Sequence, residues 1–386
     1  MNQIESDKVK IIIGGDVCPA GDSLRLFEEG DATGLFGSFL LEFSKADCVV
    51  LNLECPLFDG DSPIVKDGPV LKASTRSINA LKAASIDAVN LANNHALDHC
   101  EVGLRSTIEV CNHSGIQTIG AGVNLEAARR IHVINKKGVK IGFLALAEHE
   151  FSIAGTDCWG VNPLDLIDYV RNIKQNINKW DHLIVLLHGG AENYPLPSPR
   201  LMDTCRFLIE MGANAVVCQH SHCAGCYEEY LGGFIVYGQG NLLFDYPNQA
   251  ASWYVGFLVN LEIEKNGKTR FSILPFQQSR GAIGISRLPE EEEKEFLNTI
   301  RLRSKSIIEQ GFVKSQWEKF CKEHHYYYIN KTLGHNRIVR WLNRTGTITR
   351  LLYSQRSLLG IHNILSCESN REVMELIFEM MESKKL

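Results

Sequence analysis

Ala215-Val216-Val217-Cys218-Gln219-His220-Ser221-His222 decides the reading of this chain: a run of buried-strand residues passes directly into two imidazoles. Side chains alternate along a strand, so positions 220 and 222 are expected to face the same way. Working outward, the same layout recurs. An apolar run ends in a residue that binds metal or moves protons at Asp16, at Glu54, at Asn94 and His95, and at His188. Carboxylate, amide and imidazole gathered at strand ends are the donor set of a hydrolytic metal site.

The runs that carry these residues alternate with helical stretches. Val9–Ile13, Cys48–Leu53, Ala88–Leu91, Ile141–Leu146, His182–Leu187, Ala213–Cys218, Phe234–Tyr237 and Tyr254–Ile263 read as strands. Ser74–Ala84, Gly103–Ser114, Leu164–Lys179 and Pro199–Met211 place apolar residues three and four apart, as helices do. Pro163 and Pro199 suit first-turn positions, and Gly115 and Gly212 suit helix stops. The order predicts an α/β protein with a helix-covered sheet. The last strands follow one another without helices, so part of the sheet is expected to be antiparallel. Beyond Pro275 strand signals fade. A first domain over residues 1–280 and a helical C-terminal extension over 281–386 are expected, joined loosely at Ser279–Leu288. Glu290–Glu293 reads as a helix N-terminus favoured by the dipole, and Asn370–Lys384 as a final helix. His324-His325 beside Tyr326–Tyr328 reads as helix packing rather than a ligand surface.

Bulk properties exclude several functions. The chain has 386 residues, 45% hydrophobic and 22% charged, enough for a large core plus an appendage. A net charge of -5 argues against a surface that attracts nucleic acid. Met1–Lys10 is mixed and charged, unlike a signal peptide, and no apolar run reaches membrane-spanning length. The twelve cysteines are scattered, many within apolar runs, which predicts reduced thiols in a cytoplasmic protein. Cys223 and Cys226 have zinc or redox spacing but no second such pair, and are read as coincidence.

Each candidate has a bland reading beside the chemical one. Asp16, after Gly14-Gly15, can bind a hard cation or cap a turn. Glu54 directly follows a strand, shares its face with Asn52, and can bridge two metals or sit exposed at a sheet edge. In Ala92-Asn93-Asn94-His95 the Asn94 carbonyl can ligate and His95 can act as a general acid, held in one tautomer by Asp98; an asparagine there can equally cap a helix. His188 precedes Gly189-Gly190, with Glu192 four residues on. Lys66-Asp67-Gly68-Pro69 and Lys72 can place cations near an anionic substrate or be solvated. Gly238-Gln239-Gly240-Asn241 reads as a glycine turn. No phosphate-cradling glycine loop and no serine-hydrolase elbow is present.

Taken in order, Gly15-Asp16, Asn52-Leu53-Glu54-Cys55-Pro56, Ala92-Asn93-Asn94-His95 with Asp98 and Gly103, His188-Gly189-Gly190 with Glu192, His220-Ser221-His222 and Gly240-Asn241 resemble the CapA family. These are poly-γ-glutamate capsule biosynthesis proteins, similar in fold to calcineurin-like metallophosphatases. The resemblance covers residues 8 to 260. It implies a metallophosphatase-like, four-layer αββα sandwich with a helical C-terminal appendage and a two-metal site at the strand ends. Asp16, Glu54, Asn94, His188, His220 and His222 match the metal ligands, with Glu54 bridging. His95 matches the histidine that assists the leaving group, and Glu192 a family acidic residue placed here with His95 and Asp98 in the catalytic group. Lys66 and Lys72 resemble a loop near the site, and Asn52 and Asn241 join them as expected substrate contacts. Asp16-Val17-Cys18 departs from the metallophosphatase Asp-x-His, so either one metal is expected to bind weakly or Cys18 to stand in for the imidazole. Gly189 replaces the family's usual tryptophan, and Gln219 a common glycine or histidine. The membrane anchor that many members carry is not expected here. Cys367-Glu368-Ser369 and Arg371-Glu372 resemble a tail on CapA-like proteins of polysaccharide biosynthesis.

The expectation is a CapA-like metal-dependent hydrolase linked to capsule or exopolymer biosynthesis. It would use two divalent ions (manganese, zinc or iron) to activate water against an amide or phosphoester. A phosphoesterase acting on nucleotides or sugar phosphates, and a non-catalytic assembly factor, are the alternatives. The expected partners are an anionic polymer or small-molecule substrate and proteins of an envelope-polymer machine, with no nucleic acid and no membrane span.

Overall fold

The structure, a computed structural model, describes residues 8–66, 68–247, 249–264, 269–332 and 354–382. Within the expectations above, Met1–Asp7, Asp67 and Ser383–Lys384 lie outside the described residues, as do the side chains of His325 and Tyr326–Tyr328.

The strands are β1 (Lys8–Cys18), β2 (Cys48–Leu53), β3 (Ala88–Asn90), β4 (Gln117–Ile119), β5 (Ala121–Gly122), β6 (His132–Lys136), β7 (Val139–Ala147), β8 (Gly160–Val161), β9 (His182–His188), β10 (Ala215–Gln219), β11 (Tyr227–Tyr230), β12 (Gly233–Val236), β13 (Asn241–Phe244), β14 (Val255–Glu264), β15 (Thr269–Gln278) and β16 (Ile285–Ser286). Among the described residues they form two large sheets. The first runs β16-β15-β14-β1-β2-β3-β4, with β13 also on β1; the second runs β11-β12-β10-β9-β7-β6. A short β5–β8 pair stands apart. β1, β2, β9 and β10 are rich in apolar residues because each is buried on both faces. As expected, the late strands are antiparallel: β14 pairs that way with both β1 and β15.

The helices are α1 (Ser23–Glu29), α2 (Ala32–Phe36), α3 (Leu40–Ser44), α4 (Ile78–Ala83), α5 (Cys100–His113), α6 (Leu125–Ala128), α7 (Leu166–Asn176), α8 (Pro199–Glu210), α9 (Glu290–Ser306), α10 (Phe312–Thr332), α11 (Gln355–Ser366) and α12 (Glu368–Glu382). One continuous core joins Ile11, Val49 and Val89 of the first sheet to Phe143, Ile184 and Val217 of the second, and reaches Phe27, Leu81 and Leu104 of the helices beyond. A second core packs α7 and α8, through Tyr169, Leu201 and Leu208, against the outer face of the second sheet. The layers are therefore α, β, β, α, as the resemblance implied.

Polar ties also join the sheets. Gln219 Nε2 donates to the Gly14 carbonyl (2.9 Å), and Asn90 Nδ2 donates to Gln219 Oε1 (2.9 Å). Local chemistry sets the helix ends. Ser198 caps α8 by accepting from Leu201 N, with Pro199 in the first turn, and the chain leaves through Gly212 at φ 113°. Pro163, expected in a first turn, instead bridges to Ala147. Asp165 caps Ile167 and Asp168 two residues later, so α7 starts at Leu166.

The C-terminal helices are packed on the body rather than hung from a loose joint. Ser279–Leu288 contains β16, which extends the first sheet, and a two-residue strand leaves no alternation to read. α9 opens on Glu290–Glu293, as expected, and buries Ile300 in the first core. α10, α11 and α12 enclose a third core of Trp317, Phe320, Ile364, Val373 and Ile377, completed by Tyr194 from the main body.

Candidate metal centre

The expected ligands converge at one end of the paired sheets. β1, β2 and the loop after β3 deliver Asp16, Glu54 and Asn94; β9 and the turn after β10 deliver His188, His220 and His222. Asp16 sits at a bulge in β1, where pairing shifts between Asp16 and Val17. Its neighbour Gly15 lies so close to Gly240 that an added Cβ would come within 2.0 Å of the Gly240 carbonyl oxygen. This close approach is why glycine is needed there.

His220 and His222 do converge, but not by strand alternation. β10 ends at Gln219, and both histidines have left-handed backbone, φ 91° and 53°. That conformation is strained for a residue with a Cβ. His220 N donates to Asp16 Oδ2 (3.2 Å), which helps hold the turn.

Glu54 is fully buried and neither carboxylate oxygen has a hydrogen-bond partner. Its Oε1 lies 3.4 Å from His188 Nε2 and 3.9 Å from His222 Nε2. Potential ligand atoms of Glu54, His188 and His220 lie within 4.8 Å of one another, as do those of Asp16, Glu54 and His222. Glu54 belongs to both triplets. Glu192 forms a third with His220 and His222. Cys18 is in none of these groups, searched among the described residues. Its hydrogen bond with Cys55, followed by burial, pushes its thiol well above the ordinary range.

The supporting contacts fix ring orientation. His222 Nδ1 lies 2.8 Å from Asn241 Oδ1, and donation across that contact leaves Nε2 facing Glu54. Asn52 Nδ2 donates to Asp16 Oδ1 (2.7 Å). Asn94 Oδ1 lies 3.0 Å from His188 Nε2, and His220 Nδ1 lies 3.1 Å from that same nitrogen. These are donor atoms crowded toward a common point.

The electrostatics suit a cation. Burial first, then Asp16 and Glu192, push the Glu54 carboxyl well up, and burial likewise raises Asp16. Burial, reinforced by His220 and His222, drives His188 well below its ordinary value and keeps it a neutral donor. For His220 burial lowers the pKa, but the surrounding Glu150, Glu192 and Glu148 more than reverse this. Orphaned carboxylate oxygens beside imidazole nitrogens fit divalent metal.

His95 flanks the cluster. Its Nδ1 lies 2.6 Å from Asp98 Oδ2, and Lys66 Nζ pairs with Asp98 Oδ1 while lying 3.1 Å from the same ring nitrogen. Burial, then Lys66, lowers the His95 pKa against the opposing pull of Asp98. His95, Lys66, Asn94, Glu192 and His220 line one cavity of about 470 Å³. Three expected substrate contacts are not on its wall. Asn52 and Asn241 are buried behind the cluster, and Lys72 is bound to the Gly60 carbonyl (2.6 Å) and Asp61 (3.1 Å).

Sequence reading missed the loop after β7. Glu148, His149 and Glu150 follow an apolar strand and so carry the same signal as the other motifs. Glu150 Oε1 lies 3.7 Å from His220 Nε2. Glu148 accepts from Gly190 N (3.1 Å), from Arg200 and from Ser369. His149 pairs with Glu368, and Glu372 accepts from Ser198 Oγ (2.8 Å). The tail segment Cys367–Glu372 is thereby fastened to the rim of the site.

Two sheets back to back, with a carboxylate shared between two sets of ligands at their common end, define a layered α/β protein built around a candidate metal centre. The sequence matches the family of bacterial capsule synthesis proteins, PGA_cap, over residues 10–246, and the chain belongs to that family. It is 24% identical over 290 residues to the capsule biosynthesis protein CapA of Bacillus anthracis, spanning 72% of this chain and 69% of that one. It is 28% identical over 269 residues to the PGA biosynthesis protein CapA of Bacillus subtilis (strain 168), spanning 68% and 69%. Among solved structures, the Haemophilus influenzae NAD nucleotidase is similar over 76% of this chain and 56% of its own, at 12% identity and a TM-score of 0.39. Among the described residues no helix is long and apolar enough to cross a membrane.

Proposed function

We propose that this protein is a metal-dependent hydrolase that cleaves an amide or phosphoester during capsule or poly-γ-glutamate-type exopolymer biosynthesis. One observation carries the reading: Glu54, buried with both oxygens unpartnered, is common to two triplets of potential ligands. A buried carboxyl without hydrogen bonds is costly unless a cation compensates it.

Asp16, Glu54 and His222 would hold one ion, and Glu54, His188 and His220 a second, with Asn94 beside His188. Mixed carboxylate and imidazole donors suit manganese, zinc or iron. Bound there, the ions would polarise a carbonyl or phosphoryl oxygen and make a water acidic near neutral pH. Asp98 holds the His95 Nδ1 proton, so Nε2 is the atom that carries a proton to or from the leaving group. Burial, then Lys66, lowers the imidazole pKa and favours the neutral resting ring. The nucleotidase and CapA names above belong to those proteins; here they support the choice of substrates to try. A cytoplasmic location is part of the same reading.

The test is elemental analysis of the purified chain, followed by a hydrolysis panel with the recovered metal restored. The panel contains γ-glutamyl peptides and phosphate mono- and diesters. His220→Ala is expected to lose bound metal and hydrolysis together. Full activity in that variant, or a wild-type chain that neither holds nor takes up a divalent ion, sinks the reading.

A further inference from the structure

The segment after β7 spans the two sides that deliver the candidate ligands. Glu148 N donates to the His188 carbonyl (3.0 Å), which ties the segment to the end of β9. Leu97 N donates to Ser152 Oγ (3.1 Å), which ties it to the loop that carries Asn94 and His95. The tail adds a third anchor: Glu368 accepts from His149 N (2.8 Å), and Ser369 bonds Glu148. Glu150 is the middle residue of this span.

Its carboxylate reaches one candidate ligand from each sheet. Asn94 Nδ2 donates to Glu150 Oε2 (3.4 Å), while Asn94 Oδ1 lies 3.0 Å from His188 Nε2. His220 Nε2 lies 3.7 Å from Glu150 Oε1, an ion-pair separation, while His220 Nδ1 lies 3.1 Å from that same His188 nitrogen. Each of these two side chains therefore turns one polar atom to Glu150 and the other toward the donors of the second triplet, Glu54, His188 and His220. Cys367 Sγ, from the tail, donates to Glu150 Oε1 at 4.0 Å.

Those orientations are not intrinsic to the side chains. A primary amide can present its oxygen or its nitrogen, and a neutral imidazole can carry its proton on either ring nitrogen. Only the amide oxygen and the unprotonated nitrogen can bind a cation. A carboxylate accepts at both oxygens, so it draws the amide nitrogen and the Nε2 proton to itself and leaves Oδ1 and Nδ1 for the ion. A carboxylate that takes the far N–H of a ligating histidine fixes the tautomer, and losing such a partner typically costs about 10–100-fold in metal affinity.

We propose that Glu150 is a positioning residue for the second ion: its one carboxylate sets the amide of Asn94 and the tautomer of His220, and so holds a ligand from each sheet in its metal-binding form. This rests on the metal-site reading above. It also gives the tail a part in the site, because Cys367, Glu368 and Ser369 hold Glu150 and its two predecessors in place.

The test is calorimetric titration of the chelator-stripped full chain with manganese and with zinc. The chains compared are the wild type, Glu150→Gln, Glu150→Ala, Asn94→Ala and the double variant Asn94→Ala/Glu150→Gln. Glutamine keeps the shape of Glu150 but presents an N–H donor on one side. It must either turn the Asn94 amide around or move the His220 proton to Nδ1. Glu150→Gln is therefore expected to weaken one ion by about 10–100-fold and to leave the ion at Asp16, Glu54 and His222 near its wild-type affinity. Glu150→Ala, which lets water replace the carboxylate, is expected to cost no more. A side chain that merely fills space predicts the reverse order. With Asn94 already removed, Glu150→Gln is expected to cost less than in the wild type, because one of the two ligands it misdirects is gone. Unchanged affinity in Glu150→Gln, a greater loss in Glu150→Ala, or an equal loss with and without Asn94 overturns the assignment and leaves the metal site standing. A wild type that takes up neither metal refutes the underlying metal-site reading and this one with it.

Discussion

Replacing Glu54 with glutamine removes a charge while keeping shape, and the structure predicts opposite effects with and without metal. Glu54 is the only residue common to the triplets Glu54-His188-His220 and Asp16-Glu54-His222, so its loss leaves each with two of its three ligands. For the wild type, a cation at a hundred times its dissociation constant adds about 2.7 kcal/mol to stability. At about 2 °C per kcal/mol for a chain this long, the melting midpoint rises by about 5 °C. Glu54→Gln should show almost none of this rise. Without metal the sign reverses. The folded-state pKa of Glu54 is raised, so the group disfavours the native state once pH exceeds its unfolded value of 4.5, and increasingly so up to the folded pKa. The glutamine variant, which does not titrate, should be at least as stable as the metal-free wild type at neutral pH and should lose less stability between pH 5 and pH 7. Thermal melts in chelator and in excess manganese or zinc, at both pH values, measure all of this. A variant that keeps the 5 °C metal response, or that melts well below the wild type in chelator, would show that Glu54 is a structural residue rather than a bridging ligand.

His95→Gln should retain the metal content of the wild type but lower kcat by about 10²–10⁴, the usual contribution of a positioned proton carrier; loss of metal by elemental analysis would place His95 among the ligands instead. Glu368→Gln should loosen the tail in a pH-dependent way. The His149 pKa is raised from 6.5, chiefly by its hydrogen bond to Glu368, so its share of the stability is full below 6.5 and fades as pH rises through the folded value. Burial would raise the Glu368 pKa, but the bonds from His149 more than offset it and hold it below 4.5, so its share is full above 4.5 and fades as pH falls through the folded value. The half-buried pair should contribute under about 1 kcal/mol, greatest between pH 4.5 and 6.5. Hydrogen exchange in α12 that is equal in variant and wild type across that window would refute the clasp.

Much of the site was legible because buried strands announce themselves as valine and isoleucine runs, and a carboxylate or imidazole directly after such a run has few bland explanations. Asp16, Glu54, His188, His220 and His222 were found this way, and the structure gathers them. The same signal stands at Glu148-His149-Glu150 after β7, outside the motifs that carry the family resemblance. Direction was less legible than position. His220 and His222 converge through two left-handed residues, which no alternation rule anticipates. The tail's place was not legible at all. Its contacts with Glu148, His149 and Ser198 span more than 170 positions, and nothing local in Cys367–Glu372 encodes a partner so distant.

The candidate ligands are divided between the two sheets: Asp16, Glu54 and Asn94 come from one, and His188, His220 and His222 from the other. Neither half of the chain can hold an ion by itself with the full donor set. A cation would therefore act as a cross-link across the sandwich, tying residues separated by up to 206 positions, the interval from Asp16 to His222. Full coordination cannot precede docking of the sheets, so the metal would leave the refolding rate nearly unchanged and would chiefly slow the separation of the two halves once they have met.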